Sequence, residues 1–300
     1  MQLLDGKLVS ETIKSTLKTE IEGYISQGKR KPKLVAVIVG DNGASQTYVA
    51  SKERNSKAVG MESEAIRLDV STTENELLEL IAKLNNDETV DGMLVQLPLP
   101  KHINANKVTD AILPHKDVDG FHPYNTGQMV KGVDTLLPAT PYGILLMLEH
   151  YNIPTVGKHC VVIGRSDIVG KPMAVLMSRN AYPGNCTVTM CHSKTVDLNS
   201  YTLQADILIV ASGIPEMVTG EMVKSGAVVI DVGITRMDAD NEKGYVIKGD
   251  VHFDSAKEVA SYITPVPGGV GLMTIAGLLM NTLNAYKKHV GIEETIMNYK

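Results

Sequence analysis

The sequence predicts an α/β protein of two α/β domains that flank a cleft. Short apolar segments alternate with amphipathic helical patterns in the first half of the chain, and the same alternation returns in the second half. Such alternation is typical of parallel sheets covered by helices. A length of 300 residues fits about two domains of roughly 100–200 residues each. We expect an N-terminal domain over residues 1–138, joined by a C-terminal helix over 272–300, and a second domain over residues 139–271.

The first half alternates helices with two buried strands. Apolar residues spaced by four, ending near Gly28, predict the first helix. Lys33–Gly40 is nearly continuous in apolar residues and rich in β-branched ones, which predicts a buried parallel strand. The second helix stops at Gly60, and a capping box at Thr73 opens the third. Gly92–Gln96 then predicts the second strand.

Regular periodicity fades between residues 97 and 140, where Pro, Gly, Asn and Asp accumulate. This stretch is either a connection between domains or a long functional loop. Thr140 as an N-cap, with Pro141 after it, opens the next helix. The segment Gly271–Lys288 predicts a long final helix with cations in its last turns. Between these two helices we expect strands at Cys160–Gly164, Thr187–Met190, Ile207–Ala211 and Ala227–Val232.

Composition and charge exclude several classes of protein. A net charge of −5 offers no global attraction to nucleic acid or an anionic membrane, so we expect neither as a partner. Charge comes too early for a signal peptide and no run reaches ~18 apolar residues, which predicts a cytoplasmic protein. Three cysteines fit a reducing compartment. Cys186, Cys191 and His192 match no zinc spacing, so we expect buried thiols and no metal.

Tyr48 and Lys52 are the first candidate catalytic residues. Residues four apart share a helix face, so the phenol and the ammonium can point into one cleft. Short-chain dehydrogenases use such a pair inside their nucleotide-binding domain. Here the pair lies well before the glycine-rich turn at Gly164, which assigns it to a separate domain that faces the cofactor. From spacing alone, a half-buried Tyr beside a solvated Lys is an open alternative.

The segment His159–Pro172 predicts a strand, a tight turn and a helix, the context of a dinucleotide fingerprint. Ser166 replaces the second Gly and Gly170 arrives late, so the motif alone leaves nucleotide binding open. The next strand ends at Cys191–Lys194 without a carboxylate for a ribose 2′-hydroxyl. Arg165 can grip a 2′-phosphate bidentately. This arrangement favours NADP, and the alternative is a solvated basic loop.

The loop Thr264–Gly271 precedes the last helix. Its paired glycines let the backbone approach a ligand closely, and N–H groups at a helix start suit negative charge or carbonyl oxygens. A rigid turn that sets the direction of the helix is compatible with the same residues. The loop therefore indicates a ligand contact, a structural turn, or both.

Together these segments resemble the bifunctional 5,10-methylenetetrahydrofolate dehydrogenase/cyclohydrolase family (FolD type) over nearly the whole chain. The resemblance rests on separated blocks in one order: Gly43–Lys52, Val95–Pro100, Lys116–Gly120, Gly164–Ser166, Cys191–Thr195 and Pro265–Gly271. Ala139 departs from the family's Pro-Cys-Thr-Pro stretch, and Leu272 stands where Pro follows Gly-Gly-Val-Gly. Neither departure is expected to carry chemistry, although Leu272 bears on the rigidity of the loop.

The resemblance implies NADP-dependent oxidation of 5,10-methylenetetrahydrofolate and hydrolysis of the methenyl product to 10-formyltetrahydrofolate, by a homodimer. It implies that Lys52 is the central catalytic base and that Gln96 bonds to it. Tyr48 would stack on the folate, and Asp119 would bind the pterin-like ring. NADP would be bound by Gly164, Arg165, Ser166, Ser193 and Ile234, and folate would also contact Val95, Leu97, Pro267, Gly268, Gly269, Val270 and Gly271.

Three alternatives stand beside this hypothesis. Asp119 by itself is also typical of a turn-forming residue before Gly120. A shikimate- or amino-acid-type dehydrogenase would share the two-domain layout. A non-catalytic folate- or nucleotide-sensing protein would keep the binding sites, although the set of Tyr48, Lys52, Gln96 and Asp119 favours an enzyme.

Overall fold

The computed structural model describes residues 1–241 and 244–292, and these form two compact units. One unit comprises Met1–Glu11 and Thr140–Thr274, and we call it the nucleotide unit. The other, the catalytic unit, comprises Thr12–Ala139 and the described residues from Ile275 onward. The part of the predicted C-terminal helix at residues 293–300 lies outside the described residues.

The elements up to residue 150 are β1 (Gln2–Leu3), α1 (Gly6–Ser26), β2 (Lys33–Val39), α2 (Gly43–Ala58), β3 (Glu62–Leu68), α3 (Glu74–Asn85), β4 (Gly92–Val95), α4 (Ala105–Ala111), α5 (Pro123–Val130) and α6 (Ala139–His150). After them come β5 (His159–Ile163), α7 (Gly170–Ser178), β6 (Thr187–Cys191), α8 (Leu198–Thr202), β7 (Ile207–Val210), a 3₁₀ turn (Gly220–Met222), β8 (Val228–Asp231), β9 (Thr235–Asp238), β10 (Tyr245–Lys248), α9 (Phe253–Ala256), β11 (Tyr262–Ile263) and α10 (Val270–His289). The predicted α/β class is confirmed.

The catalytic unit is built on a parallel three-stranded sheet in the order β3-β2-β4. Side chains of the buried central strand β2 alternate between the two faces, as strand geometry requires. Leu34 and Ile38 pack in one apolar cluster with residues of α2 and α10. Val35 and Val37 pack in a second cluster with residues of α3 and α4. Helices therefore cover both faces, and the apolar run that predicted β2 follows from this double burial.

The nucleotide unit contains a six-stranded parallel sheet in the order β1-β11-β8-β7-β5-β6. Gln2 and Leu3 pair with Tyr262 and Ile263 at one edge of this sheet. The first eleven residues therefore group with this unit, whereas the sequence assigned them to the N-terminal domain. The difference arises because an edge strand of two residues carries no periodic signal that could place it.

Several elements differ from the sequence expectations. Strand β3 was not predicted, because Glu62–Leu68 is a half-exposed edge strand without an apolar run. The stretch from 97 to 140 holds the short helices α4 and α5, whose few buried residues leave little periodic signal. Helix α6 already begins at Ala139, and the Thr140 hydroxyl bonds to that of Thr274 at 2.9 Å. The predicted capping box at Thr73 is confirmed.

The helices that the structure describes include none that combines the length and the apolar character needed to cross a bilayer.

Candidate functional site

Three of the predicted catalytic side chains meet in the catalytic unit. Lys52 on α2 is only 5% exposed, and its Nζ donates to Oε1 of Gln96 at 3.2 Å. Oδ1 of Asp119 lies 3.8 Å from the same Nζ. Lys52 lies on the helix after β2, and Gln96 directly follows β4. Asp119 comes two residues after Asp117, which bridges to Met93 of β4 in parallel. All three thus follow strand positions of the small sheet, where α/β folds place functional groups. Lys52 is thus a buried, paired lysine, and the solvated lysine of the alternative interpretation is wrong.

Gln96 is held in one orientation. Its backbone N–H donates to the Val37 carbonyl at 2.8 Å, which continues the pairing of β4 with β2. Its side-chain Nε2 donates to the Leu97 carbonyl at 2.8 Å. Because a carbonyl can only accept, the amide nitrogen must face Leu97 and the amide oxygen must face Lys52. Gln96 therefore presents an acceptor to the lysine.

Tyr48 lies one helical turn before Lys52 on α2 and is half-buried. Burial raises the pKa of its phenol above the ordinary value, so the side chain stays neutral at physiological pH. Val95 ends β4 with 7% exposure, and Leu97 directly follows Gln96. Val95 packs in the apolar cluster with residues of α3 and α4, so of these three residues only Tyr48 shares an element with Lys52.

The turn that carries Asp119 is tied together by a buried carboxylate that the sequence interpretation did not single out. Asp117 is 2% exposed and accepts hydrogen bonds from the N–H groups of His122 at 2.8 Å and Gly120 at 3.2 Å. Asn125 Nδ2 donates to it at 3.1 Å. Burial raises the pKa of Asp117 to about 6, although these bonds oppose the shift. Asp117 belongs to the Lys116–Gly120 block, which could have indicated its importance. Spacing alone, however, does not show that a turn carboxylate is buried.

In the nucleotide unit, a pocket of about 430 Å³ collects four of the five predicted cofactor residues. Its lining includes Gly164, Arg165, Ser166 and Ser193. Ile234 is not among the lining residues. Its Cδ1 lies 2.8 Å from the position that a Cβ of residue 271 would occupy, so it packs beside the first turn of α10.

The turn after β5 has a backbone that only glycine fits. Gly164 has a φ of +125°, and a Cβ there would lie 2.3 Å from the Ala211 carbonyl oxygen. The Oγ of Ser166, which replaces the second fingerprint glycine, accepts from the N–H groups of Val169 at 3.2 Å and Gly170 at 3.3 Å. Ser166 therefore caps the start of α7 with its own side chain.

Ser212 also lines this pocket and was missed by the sequence interpretation. It lies just after β7, so the rule that ligand groups follow parallel strands could have found it. Asp250 is fully buried, and its Oδ2 accepts from the N–H groups of Ser212 at 2.7 Å and Gly213 at 2.8 Å. Asp231 in turn accepts from the N–H of Asp250 at 2.9 Å. Two adjacent buried carboxylates thus fix this edge of the pocket.

We predict a pH-dependent stability contribution from Asp231. Burial raises its pKa to about 6, the neighbouring carboxylate of Asp250 adds to the rise, and backbone N–H donors oppose it. The folded state therefore binds this proton more tightly than the unfolded state. The contribution to stability grows as pH falls through 6 and is complete, at about 3 kcal/mol, below about 4. Urea unfolding of the wild type and of Asp231→Asn between pH 7.5 and 4.5 measures this contribution. It is the part of the difference between their free energies of unfolding that changes with pH. A difference that is constant with pH would contradict the assignment.

The predicted folate-contacting loop belongs to the nucleotide unit. Gly268 has a φ of +112°, Pro267 is exposed, and α10 begins at Val270. The carbonyl oxygen of Gly269 lies 2.1 Å from where a Cβ of Gly6 would be. The loop is therefore closely backed by the N-terminal segment, which supports its role as a rigid turn.

The three cysteines Cys160, Cys186 and Cys191 are free and buried. Burial raises the pKa of each thiol, to about 11 for Cys186, so they remain protonated at neutral pH. Across residues 1–241 and 244–292 there is no group of three His, Cys, Asp or Glu side chains placed to hold a metal ion.

Comparison with known proteins identifies similar proteins over almost the whole length. Residues 4–119 match the family "Tetrahydrofolate dehydrogenase/cyclohydrolase, catalytic domain", and residues 138–290 match "Tetrahydrofolate dehydrogenase/cyclohydrolase, NAD(P)-binding domain". The bifunctional protein FolD of Cytophaga hutchinsonii is 58% identical over 286 residues, which is 95% of this chain and 99% of that protein.

Two solved structures are also similar to this chain. The bifunctional FolD methylenetetrahydrofolate dehydrogenase/cyclohydrolase of Campylobacter jejuni has a TM-score of 0.90 and 47% identity, covering 96% of this chain and 99% of its own. The enzyme of Trypanosoma brucei, complexed with NADP cofactor and inhibitor, has a TM-score of 0.90 and 37% identity, covering 95% of this chain and 97% of its own.

Proposed function

The chain belongs to the tetrahydrofolate dehydrogenase/cyclohydrolase family, and from that premise we propose how its own residues perform the two reactions. It is an NADP-dependent methylenetetrahydrofolate dehydrogenase and methenyltetrahydrofolate cyclohydrolase. Membership sets aside the shikimate-type and non-catalytic alternatives. The observation that carries the proposed residue roles is the buried cluster of Lys52, Gln96 and Asp119.

Lys52 is the proposed general base of the hydrolysis. The methenyl intermediate is a cation, and the base acts on the water that adds to its methenyl carbon. The free amine takes a proton from water as the water oxygen bonds to the methenyl carbon. The ammonium then returns a proton to N5 as the bond between that carbon and N5 breaks. The hydroxyl oxygen forms the formyl C=O on N10, and its own proton leaves to solvent as the one proton that the hydrolysis releases. Nζ thus ends the cycle as it began.

Gln96 and Asp119 position Lys52 in this proposal. The amide oxygen of Gln96 accepts from Nζ at 3.2 Å, which fixes the end of a flexible side chain. Asp119, at 3.8 Å, attracts the ammonium while the site is free of substrate. Its two carboxylate oxygens suit the amino-pyrimidinone edge of folate, which offers two donors side by side.

Tyr48 is the proposed stacking residue. It shares a helix face with Lys52, and its half-buried ring is neutral because burial raises the pKa of the phenol. A neutral aromatic ring can cover the flat face of the folate ring system without adding charge beside the cationic intermediate. This placement supports a binding role for Tyr48 rather than a role in proton transfer.

The residues of the nucleotide unit fit NADP. The pocket of about 430 Å³ brings the close backbone of Gly164 together with the side chains of Arg165, Ser166 and Ser193. Backbone and hydroxyl donors suit a pyrophosphate, and the guanidinium suits the 2′-phosphate. When bound, NADP⁺ supplies the acceptor for the hydride that leaves the methylene carbon. Ile234, beside Gly271, stays a predicted cofactor contact from the resemblance alone.

We predict that Arg165→Ser lowers the preference for NADP over NAD. A charged hydrogen bond contributes about 1.5–3 kcal/mol, so KM for NADP should rise roughly 10- to 100-fold while KM for NAD changes little. Initial rates with methylenetetrahydrofolate and either cofactor measure this. Arg236→Ser is the matched control, because Arg236 stacks on the Tyr245 ring at 3.9 Å and does not line the pocket. A wild type that prefers NAD would contradict the role of Arg165.

The finer parts of the folate site and the assembly state stay predictions. Val95, Leu97 and the loop Pro267–Gly271 are proposed to contact folate because the resemblance implies it. The homodimer rests on the same resemblance. Lys52, Gln96 and Asp119 all belong to the catalytic unit of one chain.

A further inference from the structure

A buried amide on the last helix reaches the backbone of two segments, one of which directly precedes Asp119. Asn281 on α10 is 0% exposed, and its Nδ2 donates to the Val118 carbonyl at 2.8 Å and to the Leu137 carbonyl at 2.7 Å. Val118 directly precedes Asp119. We infer that Asn281 is a positioning residue for Asp119, an inference that rests on the proposed folate-binding role of that carboxylate.

The segment around Asp119 packs against a second segment, residues 137–139, to which Asn281 also bonds. The Asp119 carbonyl accepts from the N–H of Ala139 at 3.3 Å. Gly120 has a φ of +73°, and a Cβ there would lie 2.4 Å from the carbonyl carbon of Leu137. Residues 118–120 therefore lie against residues 137–139, and the amide of Asn281 bonds to one carbonyl of each segment.

The chemistry of the amide allows one arrangement. Both partners are carbonyl oxygens, which only accept, so the two N–H bonds of Nδ2 must point at them. Among the residues that the structure describes, no donor reaches Oδ1 of Asn281. A buried amide oxygen without a partner is unfavourable. The side chain is therefore poorly explained as a source of stability alone and is well explained as a clamp on the two segments.

Loss of the two hydrogen bonds from Asn281 should displace the carboxylate of Asp119. Without Nδ2, two buried carbonyls lose their donors and the backbone beside Asp119 turns to find others. The Asp119 oxygen that lies 3.8 Å from Lys52 would move with it. Small displacements of a binding group weaken its interaction with the ligand that it contacts. The effect should fall on folate, because NADP is assigned to residues of the nucleotide unit.

The test compares two identical substitutions on one helix. Asn281→Leu should raise KM for methylenetetrahydrofolate about 10-fold while KM for NADP stays within about twofold. Asn284→Leu is the matched control, because Asn284 is also buried on α10 but its Nδ2 has no bonding partner among the described residues. The control should leave KM for methylenetetrahydrofolate within about twofold of wild type, because it removes no hydrogen bond from Nδ2. A folate KM within about twofold of wild type for Asn281→Leu would overturn the inference.

A double-mutant cycle separates this inference from the proposed function. If Asn281 acts through Asp119, adding Asn281→Leu to Asp119→Ala should change kcat/KM by less than about twofold. Full additivity of the two effects would overturn the positioning role. If Asp119→Ala alone leaves folate binding unchanged, the proposed function fails instead. Should Asn281→Leu not fold, Asn281→Ser, which keeps one donor, replaces it and should give an intermediate folate KM; a wild-type value would overturn the inference.

Discussion

Replacement of Lys52 by methionine should lower kcat of the cyclohydrolase reaction about 10²- to 10⁴-fold, the usual contribution of a general base. Methionine has nearly the length of the lysine stem, so it should pack in the same buried position without carrying a proton. The expected loss follows from the position of Nζ, which lies 3.2 Å from Gln96 and 3.8 Å from Asp119 and is shielded from water. The rate at which the absorbance of methenyltetrahydrofolate decays during hydrolysis measures the effect directly.

Lys57→Met is the matched control for this substitution. Lys57 lies on the same helix, is exposed, and pairs with Glu53 at 2.7 Å on the surface. Such a pair contributes at most about 1 kcal/mol to stability, so this variant should keep wild-type hydrolysis. If Lys52→Met hydrolyses methenyltetrahydrofolate at the wild-type rate, another group is the base and the proposed mechanism is wrong.

Replacement of Asp119 by alanine should abolish tight folate binding and leave NADP binding intact. Two hydrogen bonds to a charged carboxylate contribute about 1.5–3 kcal/mol each, so the Kd for folate should rise roughly 10²-fold or more. The cofactor should be unaffected, because its assigned residues line a pocket in the nucleotide unit. Titration calorimetry with each ligand separately gives both constants.

The control for Asp119→Ala is Asp110→Ala, which removes an exposed carboxylate from α4 in the same unit. It changes the net charge by the same amount and should leave both constants within about twofold of wild type. Normal folate affinity in Asp119→Ala would assign the residue to turn formation before Gly120, which was the alternative from the sequence.

Much of the fold could be predicted because burial leaves a local signal. Strand β2 is buried on both faces from Leu34 to Val39, so those residues are uniformly apolar. The capping box at Thr73 depends on neighbours in sequence. Strand β3 left no such signal, because an edge strand with half-exposed side chains tolerates Glu62, Ser63 and Glu64. Pairing of β1 with β11 joins opposite ends of the chain, and no local pattern encodes it.

The site was harder to predict from residues alone. Helical spacing placed Tyr48 beside Lys52 but could not say whether the lysine was buried. The approach of Gln96 and Asp119 to Lys52 is a tertiary contact between segments far apart in sequence, so the resemblance, not the spacing, indicated it. The roles of Asp117 and Asn281 could not be predicted from the sequence for a related reason. Their importance lies in which backbone groups they satisfy, and only the folded structure shows those groups.

The most direct test of the account is a single assay of the wild-type protein with methylenetetrahydrofolate and NADP⁺, in which NADPH and 10-formyltetrahydrofolate are followed separately. NADPH should form, and 10-formyltetrahydrofolate should appear faster than uncatalysed hydrolysis of the methenyl compound allows. Absence of NADPH would contradict the dehydrogenase assignment. NADPH formation with methenyltetrahydrofolate decaying only at the uncatalysed rate would contradict the role of the Lys52, Gln96 and Asp119 cluster in the second reaction.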